Sequence, residues 1–314
     1  GLEETIFAML TEVSERALSL TGRDELVLGG GVAQNERLQW MLREMCAQRG
    51  AALHVPENRF LRDNAGMIAV LGAKMAAAGD TLSIAESAID ADFRPDQVPV
   101  TWRSGEPDVS RPTVGPDRDV QGAEATVSFE GDRVVKRRRP RSYRHPELDR
   151  RIRRERTRRE ARLTSAARRA GVPTPLVRDV DVRETTLALQ YVGETDLDGA
   201  LSPETVRAVG RHLATIHDAG FVHGDPTTRN VRVGSAGSGG PDSVFLIDVG
   251  LGYHPRHEED HAMDLHVFAQ SLAGTADDPE RLAAAAEDAY REASQRGDTV
   301  IKRLRAIEGR GRYQ

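Results

Sequence analysis

The sequence predicts an α/β segment joined to an α+β domain, and three observations carry that prediction. Residues 1–94 alternate helical and strand periodicities, as α/β folds do. Residues 95–117 hold Pro95, Pro99, Pro107, Pro112 and Pro116 with little periodicity, which reads as a linker. From 118 to 314 strand patterns gather around one long basic helix, and helical patterns dominate the remainder.

Taken in order, Ile6, Met9, Leu10, Val13, Ala17 and Leu18 fall on one face of a helix over 3–20. ELVLGGG (25–31) reads as a short buried strand running into a glycine turn. Residues 35–49 form a second amphipathic helix, ALHVPE (52–57) a second strand, and 64–78 a third helix closed by Gly79. Two strands and three helices are too few for a complete doubly wound domain, so this segment is expected to be one end of a larger fold. The start at Gly1-Leu2, without a Met, fits a fragment or a processed product.

The second domain opens with strand patterns at TVSFEG (126–131) and DRVVKRR (132–138), then a basic helix over 146–170. Strands LVRDVD (176–181) and TLALQYV (186–192) follow, and a helix over 203–220. Strands NVRV (230–233) and VFLID (244–248) flank GSAGSGGPDS, a flexible connection by composition. Helices over 259–273 and 279–294 complete the pattern.

Composition narrows the class. At 314 residues the chain is long enough for two cores. A single cysteine, Cys46, excludes an internal disulfide and points to a reducing, cytoplasmic setting. No apolar run approaches the roughly 18 residues of a membrane helix, so no membrane partner is expected. The net charge of −5 hides an asymmetry: residues 131–170 carry 17 Lys or Arg against 5 Asp or Glu. So dense a basic block is a candidate phosphate or RNA face, although an exposed Arg/Glu helix accounts for part of it.

The chemistry centres on HGDPTTRN (223–230) and LIDVGLG (246–252). Phosphoryl transfer from ATP needs an oriented acceptor, hard oxygen ligands for Mg²⁺ and cations on the phosphates. Asp225 suits the first task, as catalytic base or orienting group. Asn230 and Asp248 suit the second, as metal ligands. Lys136, ending the apolar strand DRVV, suits the third, and only Lys74, Lys136 and Lys302 are lysines among 44 basic residues. A compact ammonium suits a contact shared between phosphates and a carboxylate; Glu160 is its expected partner, with Glu155 the rival. A glycine loop before the Lys strand is reduced to Gly122-Ala123-Glu124, which leaves one close backbone approach to a phosphate. Gly224 stands where regulated protein kinases place an Arg, and no A-P-E sequence follows. Activation-loop switching is therefore not expected. Asp264 is expected to brace the 223–230 loop from a buried helix.

Together GAEA (122–125), VVKRRRPRSYRHPELD (134–149), RTRREARL (156–163), AGVPTP (170–175), the HGD–TT–N loop, IDVGLG (247–252) and EGRGRYQ (308–314) resemble the small atypical Ser/Thr kinase of the KEOPS complex. The resemblance covers residues 118–314. It implies a minimal two-lobed kinase-like fold whose ATPase activity supports tRNA threonylcarbamoyladenosine formation. Pro226 stands where that family carries Leu and Val249 where it carries Phe; neither change removes a ligand.

GGGVAQNERL (29–38) and FLRDNAGMIA (60–69) are similar to the C-terminal part of the tRNA threonylcarbamoyladenosine synthase family, an actin-like ATPase fold. That likeness implies that Gly30, Gly31 and Asn35 line an adenylate site, and that Asp63 is one ligand of an active-site Fe or Zn. The family's two metal-binding histidines find no match, and one carboxylate does not make a metal site. Carbamoyl transfer by this chain unaided is not expected. The two resemblances in this order fit an archaeal fusion. They imply tRNA and other KEOPS subunits as partners, among them a separate complete transferase subunit. Two other readings stay open: an aminoglycoside-type phosphotransferase, which uses the same loop, and a non-catalytic ATP-binding scaffold.

Overall fold

In the computed structural model the first segment forms α1 (Leu2–Thr21), β1 (Glu25–Val27), α2 (Glu36–Arg49), β2 (Ala52–His54) and α3 (Ala65–Ala77), with single 3-10 turns at Gly31–Gln34 and Asn58–Phe60. The residues described are 1–62, 65–88, 98, 100–102, 120, 121, 125–234 and 243–310. Strands β1 and β2 pair in parallel, Leu26 opposite Leu53, with α2 as the crossover between them. The strand expected over 52–57 stops at His54, ahead of Pro56, which has no N–H to give a ladder. Phe7, Leu18, Leu38, Met41, Leu42, Met45 and Cys46 form the core here.

Two compact units divide the chain: Gly1–Arg118 with Arg141–Pro146, and Asp119–Pro140 with Glu147–Gln314. Grouping 141–146 with the first unit differs from the expected boundary at 118, and its physical cause is local. Tyr143 is fully buried in the first unit's core, and its hydroxyl donates to Glu15 Oε2 at 3.2 Å. Arg141 pairs with Glu15 at 2.9 Å and Arg144 with Glu12 at 2.6 Å. These arginines are buried and neutralised, so this part of the basic block is no open phosphate face.

The second unit contains a five-stranded sheet in the order β3 (Val120–Gln121), β4 (Thr126–Glu130), β5 (Arg133–Arg137), β7 (Thr186–Gln190), β6 (Val177–Asp181), antiparallel throughout. Helix α4 (Pro146–Arg169) follows β5 in sequence and buries Thr157, Glu160, Thr164 and Ala167, a 3–4 residue spacing that marks one face. A second antiparallel sheet joins β8 (Thr195–Asp196), β9 (Val231–Val233) and β10 (Val244–Leu246), with β9 central.

Helices α5 (Pro203–Asp218), α6 (Glu258–Ala273), α7 (Pro279–Ala293) and α8 (Gly297–Arg310) supply most of the large core. Helix α5 begins with a Ser202–Thr205 capping box and Pro203 at its first turn. It packs tightly on α7, because a side chain at Gly210 would stand 2.1 Å from the Ala286 carbonyl oxygen. Helix α8 was not expected from the sequence. Its buried Val300 and Leu304, with Ile301 and Ile307 packed beside them, form a readable one-face pattern.

Candidate functional site

The loop expected to carry the chemistry lies between Phe221 and β9, and backbone bonds hold both its ends. Val222 bridges Tyr253, while the Ile247 N–H donates to the Asn230 carbonyl at 3.0 Å. The β9–β10 pairing, Val231 opposite Leu246, therefore brings Asn230 beside the Ile247-Asp248 step. Within the loop, Asn230 Nδ2 donates to the Asp225 carbonyl at 2.8 Å and to Asp225 Oδ2 at 3.3 Å. His223, fully buried, donates from Nε2 to the Ile247 carbonyl at 3.0 Å.

Asp264 on α6 fixes the loop from below. It accepts the N–H of His223 at 2.6 Å and of Gly224 at 2.9 Å. Gly224 has φ 82°, and a side chain there would approach the Leu251 carbonyl oxygen to 2.6 Å, so a bulkier residue has no room. His217 Nε2 donates to Asp264 Oδ2 at 3.0 Å, and Tyr290 donates its hydroxyl to His217 Nδ1 at 2.8 Å. Burial raises the Asp264 carboxyl, but the His217 hydrogen bond and the facing histidines outweigh it and hold it below the usual carboxylate range.

Lys136 sits on β5 opposite Leu187 of β7 and Val127 of β4, and its side chain is buried. Its ammonium stands 3.1 Å from Glu160 Oε1 and 2.5 Å from Asp248 Oδ1. Glu155, the rival partner, is exposed on the outer side of α4. Asp248 has φ 59° and ψ 53°, a left-handed conformation uncommon outside glycine. Burial pushes its carboxyl up, yet the Lys136 ammonium, with Arg138 and His223 behind it, leaves it ionised with a pKa of about 2. A second cation, unforeseen from the sequence, completes the cluster: Arg138 Nη2 reaches Glu160 Oε2 at 2.5 Å.

Other expected positions fall differently. Asn35 is the N-cap of α2: its side-chain oxygen accepts the N–H groups of Arg37 at 2.9 Å and Leu38 at 3.3 Å, and its amide donates to Glu3 at 2.9 Å. Gly30 has φ 90° and precedes the 3-10 turn that Gly31 begins, with open space above both. Gly122, Ala123, Glu124 and Asp63 lie outside the described residues. Among the described residues no three of His, Cys, Asp and Glu stand together as a metal-binding group. Nor is any helix among them long and apolar enough to cross a membrane.

The chain is similar to several known proteins. Residues 1–70 match the family model described as TsaD: tRNA N6-adenosine threonylcarbamoyltransferase. Over all 314 residues the chain is 69% identical to a probable bifunctional tRNA threonylcarbamoyladenosine biosynthesis protein of Haloarcula marismortui. It is 67% identical over 314 residues to the protein of that description in Halobacterium salinarum. The chain is similar in sequence to these proteins along its whole length. Identity to the Methanosarcina acetivorans relative is 41% over 325 residues, covering 99% of this chain. The chain spans 57% of the length of the first two of these relatives and 58% of the third. Among solved structures, a chain described as WaaP in complex with acyl carrier protein overlays with a TM-score of 0.40 and 15% identity, over 60% of this chain and 86% of that one.

Proposed function

We propose that the second unit is an atypical kinase-like ATPase domain with a two-lobed fold, serving tRNA threonylcarbamoyladenosine formation as part of the KEOPS machinery. The single observation that carries this reading is the Lys136 ammonium held between Glu160 and Asp248 in the unit that brings Asp225 and Asn230 together. The homologues' shared description supports the pathway, and the 1–70 match supports a partial transferase segment with an actin-like ATPase fold in front.

Mg²⁺ fits the donor set, since Asp248 and Asn230 present hard oxygens and Asp248 stays ionised. Bound there with ATP, the cation supplies charge neutralisation on the phosphates. Lys136 adds a fixed positive charge on the same side. Asp225, its carboxylate held by the Asn230 amide, orients or deprotonates the accepting hydroxyl or water. Asp264 keeps the loop backbone in place while this happens. With Gly224 in place of an Arg, the position before Asp225 offers no cation to answer a phosphorylated activation segment. ATP turnover coupled to RNA modification fits that arrangement better than signalling does.

The exposed arginines of α4 are the proposed tRNA contact. Arg151, Arg154, Arg158 and Arg162 follow one another at helical spacing on the solvent side, and guanidinium groups bind phosphates in a bidentate manner. In the first unit, Gly30, Gly31 and Asn35 are proposed to face an adenylate. Carbamoyl transfer would draw its metal ligands from a more complete transferase subunit. The deciding measurement compares ATP hydrolysis by Asp225→Ala and Asp248→Ala with the parent chain. Loss of turnover in both supports the reading, whereas unchanged turnover leaves only an ATP-binding scaffold.

A further inference from the structure

Arg138 is one of the largest fully buried side chains of the molecule, two positions after Lys136 at the end of β5. Its backbone is tied on both sides to one residue: the Arg138 N–H donates to the Thr185 carbonyl at 3.1 Å, and Thr185 Oγ1 donates to the Arg138 carbonyl at 2.8 Å. Thr185 itself has φ 55°, so this clamp sits in a conformation that a non-glycine residue rarely adopts. The guanidinium then makes two contacts on α4, Nη1 with Thr157 Oγ1 at 3.3 Å and Nη2 with Glu160 Oε2 at 2.5 Å. Thr157 spends its own proton on the Arg153 carbonyl at 2.8 Å, which turns a lone pair toward Arg138.

Glu160 is thereby divided between two cations. Arg138 holds Oε2, and Lys136 is left with Oε1, 3.1 Å away. From Oε1 the same ammonium also reaches Asp248 at 2.5 Å. A planar fork can hold a threonine hydroxyl and a carboxylate oxygen together, which a lysine ammonium at the end of a flexible stem does less well. Gly250 closes the cluster. A side chain there would lie 2.7 Å from Arg138 Nη2 and 3.3 Å from Glu160 Oε2, so the glycine of D-x-G makes the space that Arg138 fills.

We infer that Arg138 is a positioning residue for Lys136: by occupying one oxygen of Glu160 it confines the ammonium to the other, from which it also engages Asp248. Without Arg138 both oxygens attract Lys136, and the ammonium is drawn toward α4 and away from Asp248. The inference rests on the proposed phosphate role of Lys136 only where turnover is concerned. Its geometric part stands independently of that role.

The test uses the three lysines of the chain, with exposed Lys74 and Lys302 as internal references. Acetylation of the folded chain by acetic anhydride, read by mass spectrometry, reports how tightly Lys136 is held. In Arg138→Gln, Lys136 is expected to acetylate more slowly than in the parent by about threefold or more, since both Glu160 oxygens are then open to the three donors of its ammonium. Thr157→Val, a gentler change that weakens Arg138's hold, moves the rate in the same direction by less, and decides the matter if Arg138→Gln does not fold. An unchanged or faster rate in the folded variant overturns the inference. ATP turnover is measured in parallel, with kcat expected to fall more than KM changes and Arg138→Lys to recover part of it. If acetylation slows and turnover does not, Arg138 positions Lys136 but the phosphate role of Lys136 fails.

Discussion

The Lys136 ammonium stands 2.5 Å from the Asp248 carboxylate, 112 positions later in the chain. This ion pair joins the strand that carries the cation to the turn that carries the expected metal ligand. Lys136→Met should therefore lower ATP turnover by about a hundredfold or more, the scale of removing a fixed charge that faces developing negative charge. Steady-state hydrolysis checks this, alongside a circular dichroism spectrum matching the parent. A variant of parental activity would remove Lys136 from the chemistry.

Asp264 makes three hydrogen bonds while almost fully buried, two of them to the backbone of the 223–230 loop. Asp264→Ala strands the His223 and Gly224 N–H groups and His217. It should cost about 3 kcal/mol or more, as removal of one partner from a buried charged network does. Urea unfolding measures the loss. The less disruptive Asp264→Asn keeps the shape and should fall between that variant and the parent.

A pH dependence follows from the stacked rings of His217 and His261, whose centroids are 4.5 Å apart. Burial, with His217 and Arg296 adding to it, lowers His261 from 6.5 to about 4, against the opposing pull of Asp264 and Asp260. The folded form thus keeps this ring neutral where the unfolded chain takes up a proton. Stability from this source is complete above pH 6.5 and declines as pH falls toward 4. The loss should be on the order of 2 kcal/mol. Thermal melts of the parent across that range should show the decline, and His261→Phe should flatten it. An equal slope in both proteins would place the pH dependence elsewhere.

Gly210 permits the contact between α5 and α7, and a side chain there meets backbone rather than a movable side chain. Gly210→Ala gains helix propensity, yet overpacking at this point should still destabilise by about 1–3 kcal/mol. Chemical denaturation decides the sign. A more stable variant would mean that the two helices can separate at little cost.

Legibility in the sequence divided along the range of the interactions. The 223–230 loop and the D-x-G turn were readable because each is a short local pattern, and one strand pairing brings them together. Lys136 stood out because lysine is scarce in this chain. Arg138 did not, since it is one arginine in a basic run and only its neighbours in space show that it is buried. Likewise His217, His261 and Tyr290 come from three separate helices, and no spacing in the chain announces their cluster. Helix α8 was legible by its Val300, Leu304 and Ile307 spacing but passed unread.

Local chemistry in the chain determined most of the element types and supplied the residue types proposed for phosphate chemistry, because helix and strand periods, turn residues and loop motifs are short-range. Tertiary structure alone decided which of the many arginines are buried and paired. It also decided that Glu160 rather than Glu155 meets Lys136, and that Arg141–Pro146 packs with the first unit. Those outcomes depend on desolvation and on which opposite charge lies within a few ångströms. That partner comes from a distant part of the chain and is selected only when the helices and sheets pack.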